Sequence, residues 1–145
     1  MGMTFVHGYV SPLMLYNGLN HPLSNVICLD IRKGARDRPS VGFAVIAQSP
    51  RDKRRIGAKL TETIKAHRMR DVHLVIIGDS KEELRKIPSV VGSAMSIAER
   101  SCGRFAQVSI LSGGYEAFSK QWGIMCIDHP KYQHGRIYPN CVWEG

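Results

Sequence analysis

The chain has 145 residues, 43% of them hydrophobic, so it is long enough for one globular domain that buries most of its apolar surface. Its uninterrupted apolar runs are far too short to cross a membrane, and the N-terminal residues do not resemble a secretory signal. Four irregularly spaced cysteines in such a chain are expected to stay reduced, which predicts a cytoplasmic location. The formal net charge of +8 favours an acidic partner, either a protein surface or a nucleic acid.

The first half of the chain predicts a helix, two strands and a second, basic helix. Ser11 precedes Pro12, and an N-cap residue followed by proline begins a helix that we expect over residues 12–19. Residues 25–30 form an apolar run too short for a helix and predict a buried strand, and residues 41–48 predict another. From Arg55 onward, apolar residues recur every four positions, at Ile56, Leu60 and Ile64, which predicts a helix that carries these residues inward and its basic residues outward.

The second half of the chain alternates between strands and helices. We expect strands over 73–77 and 108–111, a turn or short helix over 81–86, and helices over 90–101, which Gly103 ends, and 115–122. This alternation predicts an α/β fold, with a mostly parallel central sheet of about five strands and helices on both faces. Ligands of such sheets bind at the carboxyl ends of the strands, where Asp30, Asp79 and Ser112 fall.

Motifs at these strand ends resemble those of rhodanese domains. One is Asp30-Ile31-Arg32, and the more specific one is GGYEAF, which begins at Gly113 and ends at Phe118. The resemblance spans roughly residues 9–126, so we expect a rhodanese-like domain over 1–126 and a C-terminal extension over 127–145. It implies structural roles for six residues, namely Asp30, Arg32, Gly113, Gly114, Tyr115 and Phe118.

The loop after the central strand carries the catalytic cysteine in rhodanese sulfurtransferases and in related phosphatases. Backbone amides of that loop point inward, bind an anion and lower the pKa of the thiol. In this chain the corresponding residues are Gly78, Asp79 and Ser80, and none is a cysteine. The resemblance therefore implies a degenerate loop without a catalytic residue, and we expect a protein that is not an enzyme and that uses no cofactor.

A narrower resemblance is to the non-catalytic N-terminal domains of dual-specificity MAP kinase phosphatases and to related phosphatase-like pseudoenzymes. Those domains carry consecutive basic residues after the second strand, which dock onto MAP kinases. The corresponding segment here is basic as well, although Pro39 to Gly42 replace the family's Gly-His-Ile segment. The resemblance implies an intracellular docking domain for a MAP kinase or another acidic protein, with partner-binding residues Arg51, Lys53, Arg54, Arg55, Ile56 and Leu60.

Three alternatives remain open from the sequence. The first is an active sulfurtransferase or phosphatase-type enzyme with a displaced nucleophile, such as Ser80 with His73 or Asp30 as its base. We favour a capping box of Ser80 with Glu83 instead. The second is a zinc site of four C-terminal residues, Cys126, His129, His134 and Cys141, but their spacing fits no common zinc site and we expect no metal. The third is nucleic-acid binding, which the lack of aromatic residues in the basic segment disfavours.

Overall fold

The computed structural model describes residues 8–21, 24–32, 39–41, 44–46, 53–79, 89–123 and 126–128. Strands and helices follow each other in the order β1 (Tyr9–Val10), α1 (Pro12–Asn20), β2 (Val26–Asp30), β3 (Pro39–Val41), β4 (Val45–Ile46), α2 (Lys53–Ala66), β5 (His73–Ile77), α3 (Ser89–Cys102), β6 (Gln107–Leu111), α4 (Gly114–Trp122) and β7 (Cys126–Asp128). Within these residues, no helix has the length and hydrophobicity needed to cross a membrane.

Five of the strands form one parallel sheet in the order β1-β6-β5-β2-β4. The register places Asp30, at the end of β2, between Ile46 of β4 and Ile77 of β5. A separate antiparallel pair joins β3 to β7. The predicted α/β class with a parallel sheet and helices is confirmed.

Alternate residues of the central strands pack against different helices. In β5, Leu74 and Ile76 belong to the core that also contains buried residues of α2 and α3. Val75 and Ile77 belong to the other core, with buried residues of α1 and α4 such as Phe118. A strand that is apolar on both faces must be covered on both faces, which explains why β5 reads as a continuous apolar run.

Helices α2 and α3 approach each other closely at Gly57. A Cβ atom at this position would lie 2.8 Å from Cβ and Cγ2 of Ile97 and 3.0 Å from the carbonyl oxygen of Ala94. The missing side chain therefore lets two helix backbones pack together, and both helices cover the same face of the sheet.

Several predicted elements agree with the structure. Ser11 caps α1 by accepting a hydrogen bond from the backbone amide of Met14, and α1 extends one residue beyond its predicted end. The predicted strand 73–77 coincides with β5, and α3 is followed by Gly103 with a φ of 89°. The predicted turn or short helix over 81–86 lies outside the described residues.

The predicted strand over 41–48 is wrong. The structure has two short strands there, and they pair with different strands. Val41 of β3 pairs with Cys126 of β7, whereas Val45 of β4 pairs with Leu29 of β2. One apolar run thus contributes to two separate sheets. Strands β1 and β7 were not predicted, because two or three residues are too few to show a periodicity.

Candidate functional site

The carboxyl end of β2 carries a buried ion pair. Asp30 is fully buried and Arg32 is 3% exposed. The Arg32 guanidinium donates to both carboxylate oxygens of Asp30, from Nε at 3.0 and 3.1 Å and from Nη2 at 2.8 Å. The backbone amide of Arg32 donates to Oδ1 as well, at 3.0 Å. In the Asp-x-Arg motif, the carboxylate of Asp30 thus accepts hydrogen bonds from both the backbone amide and the guanidinium of the residue two positions later.

Arg32 also connects β2 to the beginning of α4. Its guanidinium carbon lies 3.8 Å from the centroid of the Tyr115 ring, which is a cation–π contact. Further along α4, Phe118 is fully buried, and Trp122 stacks on Tyr16 of α1 with the ring centroids 4.5 Å apart. The Asp-x-Arg and GGYEAF motifs, which are far apart in sequence, therefore meet at one edge of the sheet.

The loop after β5 is held at the same edge by backbone contacts. The amide of Tyr115 donates to the carbonyl oxygen of Gly78 at 2.9 Å. Gly114 has a φ of 63°, and a Cβ there would lie 1.5 Å from the carbonyl oxygen of Asp79. Only glycine fits between the two segments, so Gly114 fixes where the loop after β5 begins. Gly113, also left-handed, is the N-cap residue of α4.

Asp79 is the one residue of the predicted degenerate loop with an exposed, ionisable side chain in the described part of the chain. Gly78 is half-buried beside it, and Ser80 lies outside the described residues. Both residues considered as a general base for Ser80 make other contacts. Asp30 is paired with Arg32, and His73 begins β5, about 13 Å from its carboxyl end. His73 instead shares a hydrogen bond of 2.9 Å between its Nε2 and the Oγ of buried Ser109.

Part of the predicted docking surface is exposed and part is not. Lys53, Arg54 and Arg55 form the exposed first turn of α2, which we call the basic turn. The assignment of Ile56 and Leu60 as partner-binding residues is wrong, because both are fully buried in the core between α2, α3 and the sheet. Arg51 lies outside the described residues. The apolar residues whose four-residue period predicted the helix therefore lie on the side that faces the core.

Two of the four cysteines have described side chains. Cys28 is buried in β2, and Cys102 is half-buried at the end of α3. No group of three or more metal-binding side chains occurs among the residues that the structure describes. His129, His134 and Cys141 lie beyond that part of the chain.

One sequence signal was missed. Arg85 follows Asp79 with five residues between them, which is the spacing of the Cys-x-x-x-x-x-Arg loop of phosphatases, with aspartate in place of cysteine. Arg85 itself lies outside the described residues. The contact of Arg32 with Tyr115 was missed too, since no local pattern indicates a contact between residues 83 positions apart.

Known proteins resemble this chain in structure rather than in sequence. No protein-family model matches it, and no curated protein sequence does. The structure of As-Sb reductase from Leishmania major matches with 20% identity and a TM-score of 0.56, over 82% of this chain and 83% of that one. A structure of Saccharomyces cerevisiae Ygr203w, described as a homolog of single-domain rhodanese and Cdc25 phosphatase catalytic domain, matches with 14% identity and a TM-score of 0.53, over 81% and 82%. A second Ygr203w structure, described as a yeast protein tyrosine phosphatase of the rhodanese family, matches with 14% identity and a TM-score of 0.53, over 84% and 90%.

These comparisons correct the expectation that the chain is not an enzyme. The solved structures that share its fold are described as a reductase and as a tyrosine phosphatase, so this fold does occur in enzymes. Identities of 14–20% show the fold and not the reaction. The buried ion pair, the Gly114 contact and these neighbours agree on one conclusion: the chain has a rhodanese-like fold.

Proposed function

We propose that this rhodanese-like domain binds an acidic protein partner through the basic turn of α2. The observation that carries the proposal is the position of three exposed cations, Lys53, Arg54 and Arg55, on consecutive residues at the beginning of a helix. The resemblance to the N-terminal domains of MAP kinase phosphatases makes a MAP kinase the partner class to test first.

The basic turn is placed where positive charge is unfavourable for the helix. The N-terminus of a helix carries a partial positive charge, so acidic residues stabilise it and basic ones do the reverse by about 0.3–1 kcal/mol each. The first turn of α2 contains no acidic residue. A partner that brings carboxylates to this turn would relieve both the repulsion among the cations and their repulsion by the helix end.

Binding at this surface is expected to be electrostatic, because the apolar residues of α2 face the core. Ile56, Leu60 and Ile64 are all buried, whereas Lys59, further along the exposed side, already pairs with Glu62 at 3.5 Å. Exposed charges act mainly on the rate of association and are screened by salt. The proposed interface should therefore associate fast at low salt and weaken steeply as salt is added.

The test compares two variants that lose the same charge. In Lys53→Ala/Arg54→Ala/Arg55→Ala the basic turn is neutral, and in Lys65→Ala/Arg100→Ala/Lys120→Ala three other exposed cations are removed. By surface plasmon resonance against a MAP kinase at 50 mM and 300 mM salt, the first variant should associate about tenfold more slowly at low salt and lose its salt dependence. The second should stay within about twofold of wild type. Equal loss in both variants would show a non-specific effect of net charge and contradict the proposal.

Catalysis at the loop after β5 is the second candidate, because the fold neighbours include enzymes and Asp79 stands exposed at the head of that loop. A carboxylate cannot carry sulfur as a cysteine persulfide does, but it is a nucleophile in enzymes that form an acyl phosphate. Asp79 would attack phosphorus, the bond to the leaving oxygen would break, and that oxygen would take a proton from water. A second water would then release inorganic phosphate and restore the carboxylate.

Hydrolysis of p-nitrophenyl phosphate tests this candidate. Asp79→Ala should abolish turnover, whereas Glu116→Ala removes another exposed carboxylate, in the first turn of α4, and should leave it nearly unchanged. Ser80→Ala tests whether Ser80, the other nucleophile considered in this loop, is the one that reacts. Turnover that survives both Asp79→Ala and Ser80→Ala would exclude a nucleophile in this loop.

A further inference from the structure

A cavity of about 390 Å³ opens at the end of the sheet opposite to the site described above. Its walls come from the segments that follow α2 and α3, residues 69–72 and 102–105, together with Ile64 of α2. The volume lies within the range of small-molecule sites in proteins. Neither the site at the carboxyl end of the sheet nor the basic turn contributes a residue to it.

The cavity combines small apolar patches with two arginines. Ile64, Val72 and Phe105 line it but are at least nine-tenths buried, so each exposes only a small apolar area to it. Arg70 and Arg104 stand at its exposed rim. Within the described part of the chain, neither guanidinium takes part in an ion pair or a hydrogen bond. The two cations face a single carboxylate in the lining, that of Asp71.

Two carbonyl groups near the ends of α2 and α3 do not depend on these arginines. The carbonyl oxygen of Ile64 accepts from the amide of Met69 at 3.0 Å, and that of Glu99 accepts from the amide of Gly103 at 3.1 Å. These carbonyl groups already have backbone donors, so they do not need a guanidinium to satisfy them.

The segment that carries Arg70 is held in an unusual conformation. Arg68 and Asp71 have φ values of 52° and 50°, which residues with a side chain adopt rarely. The side-chain amide of Asn25 donates to the carbonyl oxygen of Asp71 and fixes this turn from the neighbouring β2 segment. Backbone in such conformations is concentrated at binding and functional sites, where surrounding contacts hold it in place.

We infer that this cavity binds a small organic anion, whose apolar body contacts Ile64, Val72 and Phe105 and whose carboxylate or phosphate group is held by Arg70 and Arg104. Planar guanidinium groups bind both kinds of anion through paired hydrogen bonds. The small apolar patches offer contacts that an organic anion makes and a free inorganic ion does not. The site is independent of the proposed docking and of the chemistry after β5.

Binding of 2-naphthoate and 2-naphthyl phosphate tests the inference, with 2-naphthamide as the neutral analogue of the carboxylate. Backbone amide NMR shifts should change at residues 69–72 and 102–105 and saturate with either anion. The amide should bind at least tenfold more weakly. Whichever anion binds more tightly identifies the terminal group that the site prefers.

Two charge-matched double variants locate the site. Arg70→Gln/Arg104→Gln should weaken binding of the tighter anion at least tenfold, whereas Arg68→Gln/Arg100→Gln removes two nearby exposed arginines that do not line the cavity and should stay within twofold. Alkylation of the half-buried Cys102, which lines the cavity, should slow when the anion is bound. Equal affinity for 2-naphthamide, equal loss in both double variants, shift changes elsewhere on the surface, or no saturable change would each overturn the inference.

Discussion

Charged side chains at the two ends of the parallel sheet differ in burial and in pairing. At the carboxyl end, Asp30 and Arg32 are buried, paired and covered by Tyr115. At the other end, Arg70 and Arg104 are exposed at the rim of a cavity and have no ion-pair partner among the described residues. Charge at the first end is therefore part of the fold, whereas charge at the second end is accessible to a ligand. Substitutions at the two ends should therefore differ in whether they change stability or binding.

The largest expected effect comes from Asp30→Ala. This substitution leaves the buried Arg32 guanidinium without its carboxylate, and breaking a buried pair in this way costs about 3–5 kcal/mol. Urea unfolding followed by circular dichroism measures the loss. The control is Glu116→Ala, which removes an exposed carboxylate in the first turn of α4, near the same end of the sheet, and should change the free energy of unfolding by no more than about 1 kcal/mol. Similar values for the two variants would mean that the ion pair does not stabilise the carboxyl end.

Gly114→Ala should have the next largest effect. A left-handed conformation costs a residue with a side chain about 1–2 kcal/mol, and overpacking adds about 1–3 kcal/mol because the new Cβ would overlap the carbonyl oxygen of Asp79. Gly123→Ala is the matched control, since Gly123 follows the same helix, has a φ of −57° and has no atom within 4 Å of the added Cβ. Thermal unfolding of both variants gives the comparison. A Gly114→Ala protein as stable as Gly123→Ala would show that the two loops are not tightly packed against each other.

These examples show which parts of the molecule could be predicted from sequence. The edge motifs were found because Asp30 and Arg32 are two residues apart and Gly113 to Phe118 form one short segment. The helix period of α2 was found as well, but it indicates only which side is buried. The wrong assignment of Ile56 and Leu60 as partner-binding residues came from the resemblance to docking domains, whereas the period had placed both residues on the inward side of the helix.

The cavity and the short strands could not be predicted from the sequence, for a different reason. Strand β7 is recognised only by its pairing with β3, which is 85 or more residues earlier in the chain. The cavity joins the residues after α2 to those after α3, and two exposed arginines in separate loops form no pattern until the fold brings them together. The match to As-Sb reductase was likewise found by comparing structures, since no curated protein sequence matches the chain.

The smallest expected effect separates stability from binding at the basic turn. Arg54→Glu places a negative charge at the positive end of α2 and should raise the free energy of unfolding by about 0.3–1 kcal/mol, even though the same change should abolish the attraction to an acidic partner. Lys65→Glu, in the last turn of α2, reverses the same charge at the negative end of the helix and should lower stability by a similar amount. Melting temperatures at low salt should thus move in opposite directions, and 1 M NaCl should bring them together because the charges are exposed. If Arg54→Glu destabilised the protein and Lys65→Glu did not, Arg54 would be making a contact that stabilises the fold. The basic turn would then resemble the buried Asp30–Arg32 pair more than the exposed arginines at the rim of the cavity.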